Sequence, residues 1–157
     1  MASELLLKLH LQSNPEALCL VRATLERATE LLHFQAPDSR AIVRSVDEAL
    51  ANVLRHAYQS QGNLPIEITC SKLLENGGAS GSCKAGIEIL LEDSGVPPNP
   101  DELKGRSLED IRPGGLGLHF MKQSMDLVQF GRKNGKNQLR MIKYLVPAAF
   151  ATKPEGE

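Results

Sequence analysis

Five short segments of this chain alternate apolar and polar residues, and two blocks of helical periodicity interrupt them. That order admits few folds. Leu5, Leu7, Leu9 and Leu11 recur at period two against Leu6, Lys8, His10 and Gln12, which predicts an opening strand. Asn14-Pro15 supplies an N-cap and a first-turn proline. Leu18, Val21, Leu25, Ala28 and Leu32 then follow at spacings of three and four, so a helix should end near His33. Pro37-Asp38-Ser39 opens a second helix, with Ile42, Val46, Leu50, Val53 and Ala57 as its apolar stripe, running to about Tyr58. Gly62-Asn63-Leu64-Pro65 breaks it, and Ile66, Ile68 and Cys70 begin a strand. A Gly/Ser-rich connection over 75–86 leads back into a strand at Ile87 to Leu91, which turns at Glu92-Asp93-Ser94-Gly95. Residues 96–113, with four prolines, read as irregular. A helix follows over Gly115 to Met125, and then a hairpin of Leu127 to Arg132 and Gln138 to Val146, turning at Lys133-Asn134-Gly135-Lys136.

The order is β-α-α-β-β-(lid)-α-β-β. Strands joined by hairpins pair antiparallel, and the helices must cover one face. The expected class is therefore α+β: a two-layer α/β sandwich with a largely antiparallel mixed sheet. Residues 1–150 form a single domain, and 151–157 form a frayed tail. A chain of 157 residues with 41% apolar and 24% charged content can bury a core without disulfides or metal. Eighteen basic against nineteen acidic residues leave a charge of -1, which gives no general pull toward nucleic acid or an anionic membrane. The start, Met1-Ala2-Ser3-Glu4, lacks a basic n-region, so no signal peptide is expected and the location is read as cytoplasmic. Cys19, Cys70 and Cys83 fit a reduced compartment. Cys19 and Cys70 read as core residues, and Cys83 as a loop residue.

Three stretches can carry chemistry. Glu48, Asn52 and His56 are spaced by four, forming one polar ridge opposite the apolar stripe. A solvated helix face would look the same. A carboxylate and an amide oxygen aimed at one Mg-phosphate site would also look like this, since Asn offers a hard oxygen ligand. Asp93-Ser94-Gly95 is either an ordinary turn or a carboxylate placed to accept from an amino-purine, with a bare residue admitting the base. In Arg112-Pro113-Gly114-Gly115-Leu116-Gly117-Leu118, three glycines precede an apolar helix. That is a flexible linker or a phosphate cradle at a helix N-terminus. It is not a P-loop, because no Gly-Lys-[Ser/Thr] follows.

In this order the three stretches resemble the N, G1 and G2 boxes of the GHKL (Bergerat-fold) ATPases. The His-Ala-Tyr ending at 56–58 and the Arg-Pro-Gly-Gly-Leu-Gly run look most like the RsbW/SpoIIAB-type anti-sigma factor kinases. The resemblance runs from Leu5 to about Pro147. It implies ATP and Mg²⁺ as cofactors, with Asn52 as the metal ligand and Glu48 as the catalytic base at the incoming hydroxyl. It further implies that Asp93 and Gly95 receive adenine, and that Gly114, Gly115, Gly117 and Leu118 form the phosphate cradle, with His56 counted among the binding residues. A short ATP lid would span Asp101 to Arg112, with Lys104, Arg106 and Arg112 facing phosphate charge. The implied activity is serine/threonine protein phosphorylation of a STAS-domain antagonist, joined to control of a sigma factor, and the implied assembly is a homodimer. Arg22 falls where the family makes partner contacts, although a solvated arginine fits the same position. The resemblance departs at one point. Where the family carries Gly-Thr before its last strand, this chain has Lys136-Asn137, and Asn137 is placed with the cofactor-binding residues as a group that can still hydrogen-bond. A histidine kinase-like catalytic domain and a nucleotide-gated binding module without transfer are the competing functions.

Overall fold

The computed structural model describes residues 2–74, 85–99 and 116–146. The elements are β1 (Ser3–Gln12), α1 (Ala17–Leu31), α2 (Ala36–Asn52), β2 (Pro65–Leu73), β3 (Gly86–Asp93), α3 (Leu116–Ser124), β4 (Leu127–Lys133) and β5 (Lys136–Tyr144). The element order and the α+β class match the sequence reading. The strands form one sheet in the order β1-β2-β3-β5-β4, and all four pairings are antiparallel. The connection over 75–84, the expected lid, Cys83 and the tail lie outside the described residues.

Period two decides which face of the sheet meets the helices. Ile66, Ile68, Cys70, Ile87, Ile89, Leu91, Leu139 and Met141 point inward. They pack against Val21 and Leu25 of α1, Ile42, Val46 and Leu50 of α2, and Met121 of α3. Burying one such Leu or Ile side chain stabilises the fold by about 1.5–3 kcal/mol. The outer face is charged. Lys8 and Lys136 both reach Glu67, at 2.9 and 2.6 Å, and Arg140 pairs with Glu88.

Local rules account for most boundaries. Asn14 Oδ1 accepts from the Glu16 N–H at 2.9 Å and the Ala17 N–H donates to the Asn14 carbonyl at 3.0 Å, so an Asx turn leads into α1. The helix itself starts at Ala17 with Glu16 at its N-cap, two residues after the Asn14 cap and first-turn Pro15 expected from the sequence. At the other end His33 takes φ 62°, the Phe34 N–H donates to Thr29 and the His33 N–H to Glu30. That is a Schellman ending with histidine where glycine is usual. Asn134 and Gly135, at φ 53° and 79°, give the β4–β5 hairpin the left-handed pair its two-residue turn needs.

Two expectations fail. Cys19 is exposed, with its thiol donating to the Glu16 carbonyl. It lies about 100° around the helix from Leu18, outside the buried stripe. Leu5 does not share the face of Leu7, Leu9 and Leu11. A bulge between Leu5 and Leu7 inserts Leu6, flips the alternation and leaves Leu5 61% exposed. Cys70 is in the core as read, and burial pushes its thiol up to about 12.

Candidate functional site

The site is built around α2. Glu48 and Asn52 lie one turn apart on this helix and both are half-buried. Where α3 begins, Gly117 passes so close to α2 that a Cβ there would overlap the carboxyl group of Glu48. Only glycine permits that approach without moving Glu48. Arg44, one turn before Glu48, lies over the Phe120 ring at 4.1 Å and ties the same two helices together. The first and third stretches therefore meet, with the Glu48 carboxyl group against the start of the described part of α3.

The first and second stretches meet at the other end of α2. The helix does not stop at Asn52 but continues as a π-helical turn over Val53–Ala57, closed by the Tyr58 N–H donating to the Val53 carbonyl at 2.8 Å. Such turns are frequent at functional sites. Ala57 ends this turn, and its carbonyl accepts from the Val96 N–H at 2.9 Å. Gly95 lies flat against the same peptide, and a Cβ there would overlap the Ala57 carbonyl. The turn after β3 thus caps the helix end.

Asp93 closes β3 and is 6% exposed. Its Oδ1 accepts from the Gly95 N–H and from Asn137 Nδ2, each at 2.8 Å. Asn137 stands opposite Asp93 in the β3–β5 register, and its amide also donates to the Gly95 carbonyl at 3.1 Å. The Tyr58 hydroxyl donates to the Pro65 carbonyl and accepts from the Ser94 N–H at 3.0 Å. Burial raises the Tyr58 pKa above its ordinary value, against the opposing pull of that N–H.

The structure therefore brings together Glu48, Asn52, Gly117, Asp93, Gly95 and Asn137 along α2 and the facing sheet end. His56 does not continue the ridge: it is exposed on the π-helical turn, where a spacing of four no longer keeps one face. Leu118 is half-buried against the core. Arg112, Gly114, Gly115, Lys104 and Arg106 lie outside the described residues. Arg22 is not simply solvated, since its Nε donates to Asp47 at 2.6 Å and joins α1 to α2. The sequence reading missed the π-helical turn and the Tyr58 strut. A lone tyrosine at the helix end was the only visible signal, and no spacing rule reports a π turn.

Among the described residues no group of three or more His, Cys, Asp and Glu side chains is placed to hold a metal ion. A magnesium ion bound chiefly by phosphates and water needs no such group, and a single Asn oxygen suffices from the protein. The carboxylate of Glu48 and the amide oxygen of Asn52, one turn apart on the same helix, are hard oxygen donors of the kind a metal-bound polyphosphate needs. Among the described residues no helix is long and apolar enough to cross a membrane.

Comparison with known proteins follows the same line. The family described as the histidine kinase-like ATPase domain matches residues 11–143. The serine/threonine-protein kinase BtrW of Bordetella bronchiseptica is 27% identical over 105 residues, covering 64% of this chain and 67% of its own length. The serine-protein kinase RsbW of Staphylococcus epidermidis is 23% identical over 147 residues, covering 88% and 86%. A solved structure of RsbU and RsbW domains from Mycobacterium tuberculosis superposes with a TM-score of 0.56 at 15% identity. It matches 89% of this chain, which spans only 33% of that longer one.

Proposed function

The chain belongs to the histidine kinase-like ATPase family, and from that membership we propose that it is of the RsbW type, an Mg-ATP-dependent serine/threonine protein kinase whose substrate is a STAS-domain antagonist and whose second partner is a sigma factor. The observation that carries this reading is the Glu48 carboxyl group resting on Gly117 at the first turn of α3, with Asn52 one turn along the same helix face. A carboxylate and an amide oxygen close together on one helix face, beside a glycine of α3, support the reading of Glu48 as base and Asn52 as metal ligand.

Phosphoryl transfer is mostly positioning and charge neutralisation. Bound Mg-ATP supplies the phosphoryl group and much of the compensating charge. Asp93 and Gly95 would receive the base, Asn52 would hold the metal, and Gly117 lets the start of α3 sit directly against the Glu48 carboxyl group. Glu48 orients the incoming hydroxyl and takes its proton. Proton transfer of this kind typically contributes about 10²–10⁴-fold to rate.

The test is incubation with ATP labelled in the terminal phosphate and a STAS-domain protein. Label should appear on a serine or threonine of that protein. Glu48→Ala should abolish transfer while calorimetry still shows ATP binding. Equal loss of binding and transfer contradicts the base assignment, and no heat from ATP plus magnesium sinks the whole reading. Nucleotide-dependent capture of the partner without transfer by the unmodified chain points instead to a binding module.

A further inference from the structure

The acids and arginines along α2 are not paired in the way their spacing suggests. Arg40, Arg44 and Glu48 are spaced by four and share one ridge, with Asp47 beside it. Arg44 has an acid both three and four residues ahead of it, at the two spacings that allow a helical ion pair. Asp47 is already taken, because Arg22 Nε of α1 donates to its Oδ2 at 2.6 Å. Glu48 has no ion-pair partner among the described residues. Arg44 nevertheless does not pair with it. The guanidinium lies over the half-buried Phe120 ring of α3, 4.1 Å from its centroid. Phe120 follows Gly117 by one turn, and Gly117 is the residue that rests against the Glu48 carboxyl group. The two contacts are successive rungs between the same helices.

Charge alone would draw Arg44 toward Glu48. Arg40, one turn back on the ridge, repels it in that direction. The other acid bordering Arg44 is Glu26 of α1, across the groove that Arg40, Arg44 and Asp47 also line. The ring holds the guanidinium back. A cation over an aromatic face is attracted while part of it stays hydrated, which outweighs an exposed ion pair at helical spacing.

We infer that Phe120 is a positioning residue that keeps Glu48 available as a base by holding the Arg44 guanidinium off it. This rests on the proposed role of Glu48 and deepens it. A carboxylate bridged to arginine is a poorer proton acceptor, because the cation favours its charged form. A forked bridge would also occupy the oxygens that must face the incoming hydroxyl. The ring removes this competitor without bringing in a charge of its own.

The first test needs no nucleotide. In NMR of the chain alone, Glu48→Gln should barely move the Arg44 Nε–H signal. In a Phe120→Leu background, which keeps apolar bulk but lacks the ring, the same change should move it clearly. The second test is labelled-phosphate transfer at saturating ATP. Phe120→Leu should slow transfer about tenfold or more, a part of the roughly 10²–10⁴-fold that a positioned base contributes, with ATP affinity by calorimetry little changed. Adding Arg44→Gln to Phe120→Leu should restore the rate at least several-fold, whereas Arg44→Gln alone should bring no gain. Phe120→Tyr keeps the ring and should keep the rate. If Phe120→Leu does not fold, Phe120→Met carries the same expectations. A double variant no faster than Phe120→Leu, or an Arg44 signal indifferent to Glu48 in both backgrounds, overturns the inference and leaves Phe120 a packing residue. Absence of transfer by the unmodified chain, or normal transfer by Glu48→Ala, is a different failure. It removes the proposed role of Glu48, while the NMR comparison still decides whether the ring restrains Arg44.

Discussion

Gly95 and Gly117 each let a loop or helix press against α2, but they press against different things. A Cβ on Gly95 would strike the Ala57 carbonyl oxygen and carbon, which are backbone and capped by the Val96 N–H. A Cβ on Gly117 would strike the Glu48 side chain, its carboxyl carbon and oxygen first and its Cγ next. Backbone cannot step aside without moving the helix end, whereas a carboxyl group can swing away by rotation about its χ angles. The first contact therefore belongs to the fold, and the second to the chemistry. The two ends of α2 contribute to the site in different ways. One is held rigid by peptide against peptide, and the other stays serviceable by keeping a side chain in place.

The largest expected effect tests the chemical end. Gly117→Ala should displace Glu48 and cut phosphoryl transfer by about 10²–10⁴-fold, the usual contribution of a positioned base. Its stability should stay within about 1 kcal/mol of the original, since alanine favours a helix over glycine by about that much. Labelled-phosphate transfer and urea unfolding, measured on the same variant, check both halves. Full transfer in a well-folded Gly117→Ala protein would break the comparison. The next effect tests the structural end. Gly95→Ala should cost about 1–3 kcal/mol in urea unfolding, as overpacking against backbone does. Equal stability losses at the two glycines would show that the distinction between side-chain and backbone neighbours is empty.

The same contrast explains what the sequence could and could not disclose. Apolar periodicity and turn chemistry are local, so the eight elements, the inward-facing Ile66, Ile68 and Cys70 and the Asn134-Gly135 turn could be read directly. Glu48 and Asn52 were visible as a ridge because i, i+4 neighbours share a helix face. The same rule puts His56 on that ridge, but it holds only while the helix stays α. The π-helical turn at Val53–Ala57 ends it, and nothing in Val53-Leu54-Arg55-His56-Ala57 announces the change. Leu5 and Cys19 failed for related reasons. A bulge shifts a period-two pattern by one residue, and a single step around a helix moves a residue from core to solvent. The Asp93–Asn137 bond spans 44 positions of sequence and depends on strand register, so no local pattern could reveal it.

A smaller effect sharpens the account of the rigid end. Tyr58 holds the turn after β3 from below, accepting from the Ser94 N–H and donating to the Pro65 carbonyl. Tyr58→Phe keeps the buried ring but removes both bonds. It should cost about 1–3 kcal/mol in urea unfolding, the net value of two typical hydrogen bonds. ATP affinity should fall with it, because Asp93 and Gly95 flank the loosened residue. Transfer per bound ATP should change little, since Glu48 and Gly117 lie at the other end of α2. A variant that loses turnover but keeps affinity would mean that the two ends are not separable.

The smallest effect lies off the site and serves as its control. Glu67, on the outer face of β2, is held by Lys136 first and Lys8 second, which lower its carboxyl to about 2. Lys136 precedes Asn137 on β5, but Asn137 points into the site and Lys136 reaches away across the outer face. A carboxylate whose folded pKa lies below its unfolded value of about 4.3 adds stability above that value and loses it as pH falls toward the folded one. Glu67→Gln should therefore be less stable than the original at pH 6, with the difference shrinking as pH falls from about 4 toward 2. The pair is surface-exposed, so the difference should be small and should fade in high salt. Nucleotide affinity at pH 7 should stay unchanged. If Glu67→Gln instead weakens ATP binding as much as Tyr58→Phe does, the outer face of the sheet is coupled to Asn137 through β5. The rigid end of the site would then extend through the sheet rather than stop at the Ala57–Gly95 contact.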